Sequence, residues 1–200
     1  HRGSGEYRMF WDKLGRGEIV SLLGRNGSGR STTLKSVMGL VRPARGRVLL
    51  DGSDVAGKRA FRICCSGIAY VPEEREICAN ITVEENLRIG LQAPRDGVPT
   101  WTIDQMYAFF PQLKVRHNTA AGMLSGGEQQ MLTMCRALLG NPRVILIDEP
   151  TEGLAPKIVE VVTEMIREIS RRGVAVLLVE QKLTVAMRVS NRVHVMGHGQ

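Results

Sequence analysis

The chain has 200 residues, 43% of them apolar and 24% charged, which excludes a mostly disordered protein and is enough for one core with an inserted subdomain. Its longest apolar run, Val174 to Val179, is six residues against the roughly 20 that a spanning helix needs, so no bilayer crossing is expected. Lys and Arg outnumber Asp and Glu by 27 to 20, and the resulting +7 suits nucleic acid, an anionic membrane face, a phosphate-bearing ligand or simply a basic solvated surface.

In chain order, the polar opening from His1 to Gly17 shows no secretion signal, and without an initiating Met the chain reads as a fragment. Ile19 to Leu23 is a predicted buried strand, followed by a glycine-rich loop and a helix from about Ser31 to Leu40. Val48 to Leu50 is a short strand ended by the turn Asp51-Gly52, and Ile68 to Val71 is another, closed by Pro72. From about Ile81 to Ala121 only helical spacing is found, at Val83 to Ile89 and Ile103 to Phe110, around a loop holding Pro94, Gly97 and Pro99. Val144 to Ile147 and Val174 to Val179 are apolar and β-branched, as strands covered on both faces are. Between them, the helical stripe of Ile158, Val161, Val162, Met165, Ile166 and Ile169 runs within Lys157 to Arg172 and stops at Gly173. Strand, loop and helix thus alternate, which predicts an α/β fold with a parallel sheet.

Four cysteines, Cys64, Cys65, Cys78 and Cys135, form no CxxC pair, which points away from zinc and towards a reducing compartment. Cys78 and Cys135 stand among apolar residues and are expected to be small buried thiols.

Three motifs carry chemistry. Gly24-Arg25-Asn26-Gly27-Ser28-Gly29-Arg30-Ser31-Thr32 lies between strand and helix with the spacing of a P-loop. Its glycines let backbone N–H groups curl around phosphate oxygens, the helix adds its positive end, and the Ser31 hydroxyl suits Mg2+. A P-loop normally carries Lys where this chain has Arg30, whose planar fork is bulkier than a compact ammonium. The second motif, Val144 to Pro150, ends a strand in Asp148 and Glu149, suited to holding Mg2+ and to orienting or deprotonating a water. The third, Leu124-Ser125-Gly126-Gly127-Glu128-Gln129-Gln130, opens a helix. It reads either as a capping box of Ser125 and Glu128 or as a second anion site of bare N–H groups.

The third motif resembles the signature of ATP-binding cassette (ABC) ATPases, and the likeness runs from about Gly17 to the C-terminus. It implies a P-loop NTPase (RecA-like) parallel-sheet core, about 17–75 and 137–200, with an α-helical subdomain at about 76–136. The whole is then one ABC ATPase domain, shortened at both ends. It also implies that Ser125, Gly126 and Gly127 touch ATP bound by a partner subunit, so that two copies sandwich two nucleotides. Thr151 to Pro156 resembles the D-loop across that interface. Glu-Gln-Gln-Met after the signature, Glu-Gly-Leu-Ala-Pro and Leu-Val-Glu-Gln at 178–181 resemble the ATP-binding subunits of branched-chain amino acid importers and their urea and amide relatives. Val71-Pro72-Glu73 then replaces the Q-loop glutamine, with Glu73 sensing Mg2+ and the attacking water, and Gln181 replaces the switch histidine. The implied partners are a second ATPase subunit, membrane permeases and, indirectly, a solute-binding protein, with no nucleic acid. The implied place is the cytoplasmic membrane face. Tyr7 or Trp11 is either the adenine-stacking residue or an ordinary packed aromatic, in an N-terminal region shorter than the family pattern.

Overall fold

A computed structural model describes residues 13–43 and 45–197. Tyr7 and Trp11 lie outside that range. Five strands form one parallel sheet, β1 (Ile19–Gly24), β4 (Ile68–Val71), β5 (Val144–Asp148), β6 (Ala175–Glu180) and β7 (Arg192–Met196), in the order β4-β5-β6-β1-β7. The short β2 (Leu49–Leu50) and β3 (Ser53–Asp54) pair as an antiparallel hairpin. Its turn residues Asp51 and Gly52 both have positive φ, 46° and 79°, the twist that a tight hairpin requires.

Successive residues of the central strands serve opposite faces. Ile145, Ile147, Val176 and Leu178 join a large cluster with α7 (Pro156–Arg171) and α6 (Gly126–Leu138), whereas Leu22, Leu146 and Val179 pack with Leu34 of α1 (Arg30–Val37), Met38 just after it and Ile63 of α2 (Ala60–Ser66). The predicted stripe on α7 buries Val162, Met165, Ile166 and Ile169. Between β4 and β5 the described chain forms only helices: α3 (Val83–Gly90), α4 (Ile103–Phe109), α5 (Pro111–Val115), a 3-10 turn and α6. Val83, Leu87, Met106, Phe110 and Leu113 from these helices continue the same large cluster, so the helical segment and the sheet share one core. The loop between α3 and α4 is held by buried Asn141, which accepts from Trp101 N–H and donates to the Gln92 carbonyl, both at 2.9 Å.

Several boundaries differ from expectation. α1 spans Arg30–Val37 rather than reaching Leu40, because Gly39 turns left-handed (φ 69°) where a Cβ would lie 2.3 Å from the Lys58 carbonyl oxygen. α2, α5, α8 (Leu183–Val189), β3 and β7 are short, and too few turns or alternations mark them. Cys135 is buried as expected, but Cys78 is exposed. Its backbone faces inward, exchanging hydrogen bonds with the buried Asn86 side chain at 3.0 Å each way, which leaves its thiol outside. Among the described residues no helix is long and apolar enough to cross a membrane.

Candidate functional site at the carboxyl edge of the sheet

In a parallel sheet all strands end on one edge, and Gly24, Asp148 and Glu180 close β1, β5 and β6 there. Gly24 admits no side chain: a Cβ would sit 2.6 Å from both the Met196 carbonyl oxygen and Ser28 Oγ. Gly27 and Gly29 have φ of 79° and 94°, so the loop curls before α1 begins. The first turn of α1 has no side-chain cap, and the buried Ser28 Oγ has no protein partner among the described residues. Polar groups at this loop are thus shaped for an anion. Asn26 to Thr32, with Glu73, Glu149 and Gln181, line a cavity of about 250 Å³.

Asp148 is almost fully buried and accepts from Ser31 Oγ at 3.0 Å and from the Tyr70 hydroxyl at 3.2 Å. Burial raises its pKa, and the two donated bonds oppose that rise. Glu149 has a left-handed backbone, φ 44°, a conformation costing about 1–3 kcal/mol for a residue other than glycine. Both of its carboxylate oxygens are engaged: Oε1 by Arg30 Nη2 at 2.9 Å and Oε2 by Gln181 Nε2 at 2.6 Å. Burial pushes Glu149 up to about 7, helped by neighbouring Glu152 and opposed by Gln181 and Arg30. Exposed Glu73 groups with Glu149 and Glu152, their carboxylate oxygens within 4.8 Å, and its pKa is raised by burial and then by Glu152.

Arg30 does not extend into open space. It is 4% exposed, donates to the Glu180 carbonyl at 2.7 Å and pairs with Glu149. Glu180, itself 2% exposed, accepts from Thr151 Oγ1 at 2.7 Å and from the backbone amides of Gln181 and Lys182 at 3.2 and 3.4 Å. Tyr70 and Arg75 carry no signal in the sequence, whereas Thr151 and Glu152 stand there only as the start of the D-loop-like segment and Glu180 only within Leu-Val-Glu-Gln at 178–181.

The segment Leu124 to Gln129 lies apart from this cavity and lines none of it. Ser125 and Glu128 form the reciprocal capping box at the start of α6. A Cβ on Gly126 would meet Arg75 Nη1 at 2.5 Å, and one on Gly127 would meet Ile158 at 3.4 Å. Arg75 also donates to the Glu152 carbonyl at 3.2 Å, so the loop after β4 bridges the segments at 126 and 152. Arg25 lies in the loop, with its carbonyl accepting from Ser28 N–H at 3.0 Å.

The family described as ABC transporter matches residues 12–152, more than half of the chain. The high-affinity branched-chain amino acid transport ATP-binding protein BraG of Pseudomonas aeruginosa is 40% identical over 186 residues, covering 92% of this chain and 79% of the relative. The probable branched-chain amino acid transport ATP-binding protein LivF of Archaeoglobus fulgidus is 36% identical with the same coverage. Among solved structures, a dimeric ATP-binding cassette in a post-hydrolysis state, bound to ADP and phosphate, superposes with a TM-score of 0.79 at 25% identity, over 94% of this chain and 84% of that one. The chain therefore belongs to the ABC transporter family, as an ATP-binding cassette ATPase resembling the branched-chain amino acid subgroup.

Proposed function

We propose that this chain binds and hydrolyses ATP to power an importer of branched-chain amino acids or related small amides. The observation that supports this most is the meeting of the glycine loop, Asp148, Glu149 and Gln181 at one sheet edge. Gly24 to Thr32 cradle the phosphates through backbone N–H groups. Ser31 Oγ and Asp148 Oδ1 converge at 3.0 Å as a pair of hard oxygens fit for Mg2+, with Glu73 at the cavity. Mg2+ held by these residues would neutralise negative charge on the phosphates. Glu149 accepts the proton of the water that attacks the γ-phosphorus, and Gln181 orients Glu149 by donating to it. The separation of Leu124, Ser125, Gly126, Gly127, Glu128 and Gln129 from the cavity fits their serving the ATP of a second ATPase subunit, as a dimeric relative suggests. In this reading the dimer sits peripherally on the cytoplasmic membrane face. Its closure drives integral-membrane permeases fed by a solute-binding protein, and nucleic acid has no part.

Steady-state phosphate release with and without Mg2+ tests the chemistry: Glu149→Gln lowers turnover at least about 100-fold, and undiminished turnover refutes the role of Glu149. Uptake of labelled leucine by cells lacking the native subunit, restored by this chain, tests the solute class. A second reading, a cassette that binds nucleotide but hydrolyses it poorly, is favoured by Arg30 lying against Glu149. Tight binding with no turnover at saturating ATP selects it.

A further inference from the structure

We propose that Arg30 is a positioning residue that latches Glu149 out of use until a triphosphate arrives. The inference rests on the ATPase reading above and adds a means of regulating that site. An arginine can do here what a lysine cannot. Its fork holds the Glu180 carbonyl through Nη1 and the Glu149 carboxylate through Nη2 at once, with Asn26 Oδ1 3.5 Å away. Gln181 takes the other Glu149 oxygen, so a water in the cavity finds both oxygens already committed to protein donors.

The pair is buried, with side chains 4% and 6% exposed. Separating a buried ion pair leaves two uncompensated charges, so the latch stays closed unless another anion replaces Glu149 as the partner of Arg30. Arg30 and Glu149 both line the cavity beside the glycine loop. A terminal phosphate held by that loop meets the guanidinium directly. Exchange of partners transfers Arg30 to phosphate and frees Oε1 of Glu149 to accept a proton. A diphosphate, lacking the terminal group, leaves the pair closed. Opening the latch weakens triphosphate binding by the fraction of molecules in which it is open.

The test is a double-mutant cycle on the full chain, using Arg30→Lys, Glu149→Gln and their combination. Affinities are measured for a non-hydrolysable ATP analogue and for ADP, and turnover is measured for parent and Arg30→Lys. With Arg30 present, Glu149→Gln tightens the analogue about tenfold and changes ADP less than about twofold. In the Arg30→Lys background the same change gains less than about threefold. Arg30→Lys lowers the KM for ATP about tenfold relative to a parent that still turns over at saturating ATP. Equal tightening in both backgrounds overturns the latch, as does a parent whose KM for ATP matches that of Arg30→Lys. The two single variants attack the pair from opposite sides, so misfolding of one leaves the other to decide. Binding of nucleotide with turnover but no coupling removes the latch alone. Failure of the parent and every variant to bind nucleotide removes the ATPase reading and the latch with it.

Discussion

Replacing Glu180 with alanine removes the carboxylate that ties the segment after β5 to the turn after β6. Glu180 is 2% exposed and Thr151 is fully buried. Loss of the 2.7 Å bond between them leaves the Thr151 hydroxyl without its acceptor, costing about 1–3 kcal/mol. One buried methylene adds about 0.8 kcal/mol. The Gln181 and Lys182 amides border a cavity of about 200 Å³, where water can replace the carboxylate, so they add little. Against this, burial raises the Glu180 pKa more than its bonds lower it, so removing the charge offsets part of that loss. The net loss is about 1–3 kcal/mol, equivalent to a Tm lower by about 2–12 °C for a chain of this size. Glu180→Gln keeps the volume and one acceptor oxygen, and loses about half as much. Urea and thermal unfolding of the parent and both variants measure these differences. An alanine variant within about 0.5 kcal/mol of the parent, or a glutamine variant as damaged as the alanine one, refutes the reasoning.

Leu132→Ala in α6 empties a fully buried position and costs about 2–5 kcal/mol, read from the urea midpoint at unchanged m-value. Gly24→Ala forces a Cβ to within 2.6 Å of the Met196 carbonyl oxygen, so fluorescence titration shows nucleotide affinity at least about tenfold weaker; undiminished affinity contradicts the close approach. Glu149 titrates near 7 in the folded protein and near 4.5 unfolded, so between those values the native state holds the extra proton. Its contribution to the stability of the Mg2+-free protein is therefore present below about 4.5 and lost as pH rises through about 7. Melts at pH 5 and 7.5 show a smaller fall in Tm for Glu149→Gln than for the parent, and an equal fall refutes the shift.

Periodicity located the elements that have enough turns or alternations to show it. The runs at 144–147 and 174–179 became β5 and β6, the latter one residue later at each end, and the stripe from Ile158 to Ile169 became the buried face of α7. Chains of five to seven residues, such as α5 and α8, left no such pattern, and their packing partners are remote in sequence. The stop of α1 was written in Gly39, whose left-handed backbone cannot continue a helix. Cys78 was misplaced because an apolar neighbourhood in sequence says nothing about which side of a turn faces the core.

The site divides in the same way. The glycine loop, the Asp148-Glu149 pair and the Ser125 cap could be read directly, since each depends on residues adjacent along the chain: a curl, a strand end and a helix start. The substitution of Arg30 for lysine was visible too, but not its direction. That required β1, β5 and β6 to end side by side, bringing Glu149 and the Glu180 carbonyl, 119 and 150 residues away, within reach of one guanidinium. Local order follows from neighbours in the chain, whereas the partner of a buried charge is chosen by the sheet that carries it out of water.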